Sequence, residues 1–263
     1  MPTGNLYPLA KAILRPATTV AFPTKVRGLE HLPRSGPAII APNHISFLDS
    51  VVLIGVLPRR ITYVGKAEYM DSWKTRHLFP AVGMIPIDRT GGKASMAALD
   101  TAASVLERGE LFGIFPEGTR SRDGMLHKGR TGIARLALRT GAPVIPVGIK
   151  GTDRIQPPGS SVPRPFRRCE VTFGAPIELG HYQERKGDAA VFRNLTDEIM
   201  FEIAALSGQQ YVDRYAERQP ERDADSTASS GRRGAAAGGR GTRAGTAPAT
   251  VADATAVSGA AGA

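Results

Sequence analysis

The sequence predicts an α/β fold in which a mostly parallel central sheet is flanked by helices. From Gly36 onward, short apolar runs alternate with helical patterns, which is typical of strands joined by crossover helices. The clearest helical pattern spans residues 93–108, where apolar residues recur every three or four positions before Gly109 ends the helix. The chain has 263 residues, of which 41% are hydrophobic. This is enough for one such domain or two small ones, and it excludes wholesale disorder.

The apolar runs define the individual elements of this fold. Strands are predicted at 38–41, 61–64, 84–87, 111–115, 144–149 and 170–173. Further helices are predicted at 47–56, 131–139 and 189–206. Residues 152–168 contain four prolines and four arginines and are predicted to form a long loop without regular structure. The loop arginines Arg164, Arg167 and Arg168 have two open interpretations, as contacts to lipid or nucleotide phosphates or as a solvated basic loop.

The ends of the chain differ in composition from this domain. Residues 1–27 are predicted to be a membrane-interface segment, because apolar residues lie at helical spacing beside Lys11 and Arg15 until Pro16 breaks the helix. A helix packed on the domain is the alternative. No secretory signal and no membrane-spanning run is expected, since no apolar run approaches ~20 residues. The domain itself is predicted at 28–216, and the Ala/Gly/Arg-rich tail at 217–263 is predicted to be disordered.

The charge is concentrated in residues 1–216, before the predicted tail. Lys and Arg total 34 against 24 Asp and Glu, for a formal charge of +10, whereas the tail from Glu217 onward has only six Arg against five acidic residues. Such an excess favours an anionic partner such as a phospholipid surface, a nucleic acid or a phosphorylated substrate. Charge alone does not choose among them.

Cysteine and histidine contents limit the other kinds of site. Cys169 is the only cysteine, so no internal disulfide forms, and we expect a packed thiol on a strand rather than a reactive one. No metal site is expected, because the histidines outside the motifs described next show no metal-ligand spacing. They are His31, His77, His127 and His181.

The most informative motif is "IIAPNHISFLDS", a strand that runs into Asn43 and His44 before a helix begins. Ser46 and Asp49 have the spacing of a capping pair at the start of that helix. His44 then lies in the preceding turn and can fold back onto the Asp49 carboxylate. There Asp49 would fix the imidazole tautomer and leave the other nitrogen free to act as a general base. A helix cap beside a turn histidine is the alternative on local sequence alone.

Two further blocks follow predicted strands. "LFGIFPEGTRSRDG" places Glu117, Gly118, Thr119 and Arg120 after a strand, and "GMIPIDR" ends another strand with Arg89. Glycine permits close backbone approach, and the planar guanidinium group fits phosphate oxygens. Both arginines lie at the sheet edge where open α/β folds bind ligands.

The segment "GMLHKGRT" approximates a phosphate-binding P-loop, but it does not connect a strand directly to a helix. Nucleotide binding is therefore not expected there. Lys128 and Arg130, near the start of the next helix, are secondary candidates that would add positive potential to a phosphate pocket.

Taken together, these blocks resemble the glycerolipid acyltransferase family typified by 1-acylglycerol-3-phosphate O-acyltransferase. Four family motifs occur in order over about residues 28–180: N-H-x4-D, G-x3-I-x-R, F-P-E-G-T-R-S and V-I-P-V-G-I. The resemblance implies the glycerol-3-phosphate acyltransferase type of α/β fold. It also favours the general-base interpretation of His44.

The resemblance implies a role for each motif residue. His44 would be the general base and Asp49 its partner. The substrate phosphate would be bound by Arg89, Glu117, Gly118, Thr119 and Arg120. Pro146 belongs to the fourth motif, which is associated with acyl-donor binding or with shaping the site. Asn43 and backbone N–H groups are candidates for stabilising the thioester oxyanion.

The implied reaction moves a fatty acyl group from an acyl-coenzyme A or acyl carrier protein thioester to lysophosphatidic acid, forming phosphatidic acid. No metal, no other cofactor and no nucleic acid partner is implied. Long acyl chains imply a peripheral enzyme on the cytoplasmic face of the cell membrane. The alternatives are acylation of glycerol-3-phosphate or another lysolipid and, from a different class, a non-catalytic basic protein that binds membranes or nucleic acid.

Overall fold

The fold was analysed in a computed structural model, which describes residues 7–66, 83–87, 92–160, 162–184 and 187–217. The predicted site residue Arg89 and the predicted tail beyond Glu217 lie outside these ranges. The strands are β1 (Thr24–Arg27), β2 (Ala38–Pro42), β3 (Ile61–Lys66), β4 (Met84–Ile87), β5 (Leu111–Gly113), β6 (Leu126–His127), β7 (Val144–Lys150), β8 (Cys169–Phe173) and β9 (Tyr211–Val212). The helices are α1 (Tyr7–Ala21), α2 (Leu48–Val56), α3 (Gly92–Glu107), α4 (Gly132–Thr140), α5 (Thr152–Ile155), α6 (Gly180–Gln183) and α7 (Ala189–Ser207), with a 3₁₀ turn at Leu29–His31.

Seven strands form the central sheet in the order β1-β8-β7-β2-β5-β3-β4. The five strands from β7 to β4 are mutually parallel, and β8 pairs antiparallel with β7. β1 pairs parallel with β8 at the edge of the sheet. The predicted α/β fold with a mostly parallel sheet is therefore confirmed.

Helices cover both faces of this sheet, and strand β2 shows how the sequence specifies that arrangement. Ala38 and Ile40 belong to the core beneath α1 and α2, whereas Ile39 and Ala41 belong to the core beneath α3, α4 and α7. All four residues are fully buried. Because both faces of this strand are buried, its consecutive residues are all apolar, and they form a continuous apolar run in the sequence.

Helix α1 differs from the prediction at Pro16, because it continues through that residue to Ala21. The helix is fixed to the domain at its start: the Tyr7 hydroxyl accepts from the N–H of Ile61 (3.3 Å), and the Lys11 ammonium donates to the carbonyl of Leu57 (2.7 Å). These tertiary contacts compensate for the helical hydrogen bond that proline cannot donate.

Strand β1 corrects the boundary predicted after residue 27. Thr24–Arg27 pairs with Cys169–Thr172, so the folded domain includes residues that the prediction assigned to the amino-terminal segment. Four residues of alternating exposure at a sheet edge carry too little apolar pattern to be recognised in the sequence. Membrane contact by the amino-terminal segment stays a prediction.

The predicted loop at 152–168 also begins differently, because its first four residues form helix α5. The prolines start only at residue 157, so one helical turn fits before them. Across the described part of the chain, no helix has both the length and the apolar character needed to cross a bilayer.

Arg59 connects two turns that lead into strands of the sheet. Its guanidinium group donates to the carbonyls of Pro33 (2.9 Å), Gly36 (2.6 Å) and Gly109 (2.8 Å). Replacing Arg59 with alanine leaves these three carbonyls without their donor, so we expect a loss of about 2 kcal/mol in the free energy of unfolding. Urea unfolding measures it. The exposed Arg34→Ala is the matched control, and equal losses in the two variants would contradict the role given to Arg59.

Candidate active site

The predicted motif residues collect at one edge of the central sheet. Strand β2 ends just before His44, β5 ends four residues before Glu117, and β7 ends two residues before Thr152. These three strands are parallel neighbours, so their carboxyl ends lie side by side. This is the edge at which open α/β sheets bind ligands.

His44 and Asp49 contact each other as the motif spacing predicts. The imidazole Nδ1 lies 2.9 Å from Asp49 Oδ2. A carboxylate can only accept, so Nδ1 carries the proton and Nε2 keeps a free lone pair. The His44 side chain is 17% exposed, whereas that of Asp49 is fully buried.

The Asp49 carboxylate accepts four hydrogen bonds. Besides His44, its Oδ2 accepts from the N–H groups of Ile45 (2.8 Å) and Ser46 (2.9 Å), and its Oδ1 accepts from the Thr152 hydroxyl (2.5 Å). The bond to Ser46 N–H is one half of the predicted capping pair. The other half differs, because helix α2 begins at Leu48 and the Ser46 hydroxyl accepts from the Leu48 N–H (3.3 Å).

Aromatic rings fix the face of the His44 imidazole. His44 stacks on Phe115 with ring centroids 3.8 Å apart, and Phe115 lies nearly parallel to Tyr63 at 6.0 Å. The Tyr63 ring lies against the backbone of Gly113, where a Cβ would sit 2.0 Å from a ring carbon. Only glycine permits this approach. The imidazole is therefore held at Nδ1 by a carboxylate and on one face by a ring.

Glu117 does not occupy the phosphate-binding position that the resemblance implies. It is fully buried, and its two carboxylate oxygens accept from the backbone N–H groups of His44 (2.9 Å) and His127 (3.1 Å). Glu117 instead connects the His44 turn to strand β6.

Burial raises the pKa of Glu117 to about 7, although the N–H groups of His127 and His44 act in the opposite direction. The carboxyl group therefore gains and loses its proton near neutral pH. It joins the His44 turn to His127, and His127 lines the cavity described next.

Arg120 lines a cavity of about 250 Å³ next to the His44 turn. The adjoining Ser121 N–H donates to the His44 carbonyl (2.7 Å), which places the backbones of the two motifs in contact. The cavity is lined by Arg120, Arg122, Asp123, His127, Arg214, Tyr215, Ala216 and Glu217. Three arginines against two carboxylates give it a positive balance, which suits a phosphate group.

Other predicted phosphate-site residues lie close to this cavity without lining it. Gly118 adopts a positive φ of 75°, and its missing Cβ makes room for the Arg130 side chain, which also stacks over Tyr215 at 5.0 Å. Thr119 is half-buried in the same turn. Lys128 forms an ion pair with Asp213 (2.7 Å), so its charge is directed toward that carboxylate.

Asn43 and Pro146, two further predicted site residues, are both buried. The Asn43 amide donates to the Ile149 carbonyl (2.9 Å) and to Gln209 Oε1 (2.7 Å), so both amide hydrogens are occupied. Its candidacy as an oxyanion donor is therefore wrong. Pro146 is buried in β7 opposite Ala41. A role in acyl-donor binding or in shaping the site stays a prediction for this residue.

Residues 209–217, which we call the C-terminal segment, contribute to the site although no sequence pattern predicts it. Gln209 joins Asn43 to the Gly124 carbonyl (2.8 Å), and β9 pairs with β6. Arg214 and Tyr215 then complete the cavity. No local pattern signals these roles, because Gln209 lies 166 positions from its partner Asn43.

Comparisons with known proteins show the family to which the chain belongs. Residues 23–150 match the Acyltransferase family. The chain is 30% identical over 148 residues to the 1-acyl-sn-glycerol-3-phosphate acyltransferase of Bacillus subtilis, and the match covers 56% of this chain and 72% of that protein. The chain belongs to the acyltransferase family.

The chain spans only about half or less of the length of several other relatives. The chain is 32% identical over 140 residues to a chloroplastic 1-acyl-sn-glycerol-3-phosphate acyltransferase of Brassica napus, covering 53% of this chain but only 40% of that protein. The crystal structure of the 1-acyl-sn-glycerophosphate acyltransferase PlsC from Thermotoga maritima has the same fold. Its TM-score is 0.60 at 22% identity, covering 77% of this chain and 80% of that one.

The raised pKa of Glu117 predicts a specific pH dependence of the stability of this protein. The folded protein holds a proton on Glu117 up to about pH 7, whereas the ordinary value is 4.5. Its contribution is fully present below pH 4.5 and is lost as the pH rises through 7, because the folded state binds more protons than the unfolded state in that interval. A shift from 4.5 to about 7 corresponds to about 3 kcal/mol.

Glu117→Gln removes this titration. We expect the difference in unfolding free energy between wild type and variant to change by a few kcal/mol between about pH 5 and about pH 8. Denaturant unfolding at both pH values measures it, with Glu202→Gln on the exposed face of α7 as control. A difference that is the same at both pH values would contradict the assignment.

Proposed function

We propose that this chain transfers a fatty acyl group from an acyl-coenzyme A or acyl carrier protein thioester to the free hydroxyl of lysophosphatidic acid, forming phosphatidic acid. The observation that carries the proposal is the His44–Asp49 contact beside an arginine-lined cavity. The names of the relatives, 1-acyl-sn-glycerol-3-phosphate acyltransferases, support the same acceptor. The proposed reaction uses no metal and no cofactor apart from the thioester co-substrate.

The proposed first step is proton removal by His44. Its Nε2 takes the proton from the acceptor hydroxyl while the oxygen attacks the thioester carbonyl carbon. The new C–O bond forms, the C–S bond breaks, and the leaving sulfur receives the proton from the imidazolium. Asp49 stabilises the imidazolium through Nδ1. A positioned base of this kind contributes about 10² to 10⁴ in rate.

The phosphate of the acceptor is proposed to bind in the cavity through Arg120, Arg122 and Arg214. Guanidinium groups form paired hydrogen bonds with phosphate oxygens, which fixes orientation as well as position. The Ser121–His44 backbone bond ties this cavity to the catalytic turn. Orientation of bound reactants is worth effective concentrations of about 10⁵ M or more, so phosphate binding contributes to the rate.

The proposed location is the cytoplasmic face of the cell membrane, with the protein bound peripherally. Both the acceptor and the product carry acyl chains and reside in a lipid layer. The positive charge of the chain, +10 overall, favours an anionic membrane surface.

His44→Ala is expected to lower the rate of thiol release by about 10² to 10⁴. Purified protein is mixed with lysophosphatidate and acyl-coenzyme A, and free thiol is followed with time. Asp49→Asn should also be severely impaired, because the amide cannot hold the imidazole in the same tautomer. The exposed His181→Ala is the control. Thiol release that survives the loss of His44 would exclude it as the base.

Arg120→Ala is expected to raise the KM for lysophosphatidate at least about tenfold, because a charge-assisted phosphate contact is worth about 1.5–3 kcal/mol. The KM for acyl-coenzyme A should change little. Arg139→Ala, an exposed arginine on α4, is the control. If only the KM for the thioester rises, the cavity binds the donor and not the acceptor.

A further inference from the structure

The loop at residues 162–168 has an unusual combination of exposed side chains. Phe166 is 75% exposed and Val162 is 73% exposed. The same loop carries Arg164, Arg167 and Arg168, all exposed, and no acidic residue. Exposed apolar side chains surrounded by basic ones characterise surfaces that enter a lipid headgroup layer.

The backbone holds this loop in place while its side chains face outward. The Phe166 N–H donates to the Ala21 carbonyl at the end of α1 (2.7 Å), and the Arg164 N–H donates to the Ile155 carbonyl (2.7 Å). Phe166 also has a φ of 61°, a left-handed conformation that no other non-glycine residue adopts in the described ranges. An aromatic residue rarely takes this conformation, and such outliers cluster at functional positions.

The loop lies at the same edge of the sheet as the candidate active site. It leads directly into β8, and β8 runs antiparallel to β7 with Lys150 opposite Glu170. The beginning of β8 therefore lies beside the end of β7, where Thr152 contacts Asp49. The Ser46 hydroxyl donates to the Gln156 carbonyl (3.2 Å), which adds a second link between the catalytic turn and the segment before the loop.

The charge around the loop is also positive. The elements that adjoin it, α1, α5, β1 and β8, carry five basic residues: Lys11, Arg15, Lys25, Arg27 and Arg154. The same elements carry two acidic residues, Asp153 and Glu170, and Glu170 is paired with Arg27 (3.0 Å). An anionic surface is therefore attracted to this side of the molecule.

We infer that the 162–168 loop is a membrane-docking element that inserts Phe166 and Val162 into the headgroup layer of an anionic phospholipid bilayer. Its arginines bind lipid phosphates around the inserted side chains. This brings the His44 edge of the sheet to the bilayer surface, where a lipid acceptor lies. The inference extends the proposed function, on which it rests for the lipid nature of the substrate.

Vesicle binding of the full-length chain tests the inference. Wild type should bind vesicles of phosphatidylcholine mixed with phosphatidylglycerol more tightly than vesicles of phosphatidylcholine alone, and added salt should weaken the binding. Phe166→Ala should bind the anionic vesicles about tenfold more weakly, through lost apolar burial. Each arginine-to-glutamine substitution in the loop should weaken binding about fivefold.

Phe201→Ala is the matched control, because Phe201 is also exposed (60%) but lies on α7. Equal binding by Phe166→Ala and Phe201→Ala would overturn the inference.

A fluorescence measurement tests insertion directly. Phe166→Cys is labelled with a polarity-sensitive dye, because Cys169 is the only native cysteine, is buried and has a pKa raised by burial. The emission should shift to the blue with anionic vesicles and stay unchanged with the dye at Phe201→Cys. A blue shift with a DNA oligonucleotide but not with vesicles would overturn the inference in favour of nucleic-acid binding.

The inference and the proposed function fail separately. Wild-type protein that turns over detergent-dispersed lysophosphatidate but does not bind vesicles would overturn the docking element alone. Protein that binds vesicles through Phe166 but releases no thiol would leave the docking element supported and overturn the proposed reaction.

Discussion

The candidate site depends on one buried carboxylate. Asp49 is withdrawn from solvent, and a charge in that position is tolerated only if hydrogen bonds replace the lost water. Four donors do so: the imidazole, two backbone N–H groups of the turn before α2, and the hydroxyl of Thr152 at the start of α5. The requirement to satisfy this charge therefore constrains the conformation of the turn, the tautomer of His44 and the position of Thr152.

A second buried acid, Glu117, has a structural role in the F-P-E-G-T-R-S motif, where the resemblance implied phosphate binding. The glutamate stands between Pro116 and Gly118 in a turn whose other end carries a phosphate-binding candidate, so a shared ligand is the natural expectation. Its oxygens instead accept from two backbone segments that are distant in sequence. The motif thus combines an internal connector, Glu117, with an arginine that lines the cavity, Arg120.

The sequence was sufficient for the parts of the structure that local physics determines. The apolar run of β2 and the periodicity of α3 reflect burial on two faces and on one face, and the N-H-x4-D spacing predicted a contact that is present at 2.9 Å. The sequence did not predict two kinds of structural feature. Strand β1 is short and half-exposed, so neighbouring strands rather than its own pattern specify it. Gln209 and Arg214 act across distant parts of the chain, and a polar residue in a polar stretch gives no sign of its partner.

The position of the C-terminal segment in the chain determines when the cavity residues are synthesised relative to the sheet. In the described ranges, the last strand of the central sheet ends at Phe173, whereas one wall of the arginine cavity comes from Arg214 and Tyr215. During translation, every described strand of the sheet and the histidine–aspartate pair therefore leave the ribosome before that wall does. The cavity is the last part of the site whose residues become available to a growing polypeptide.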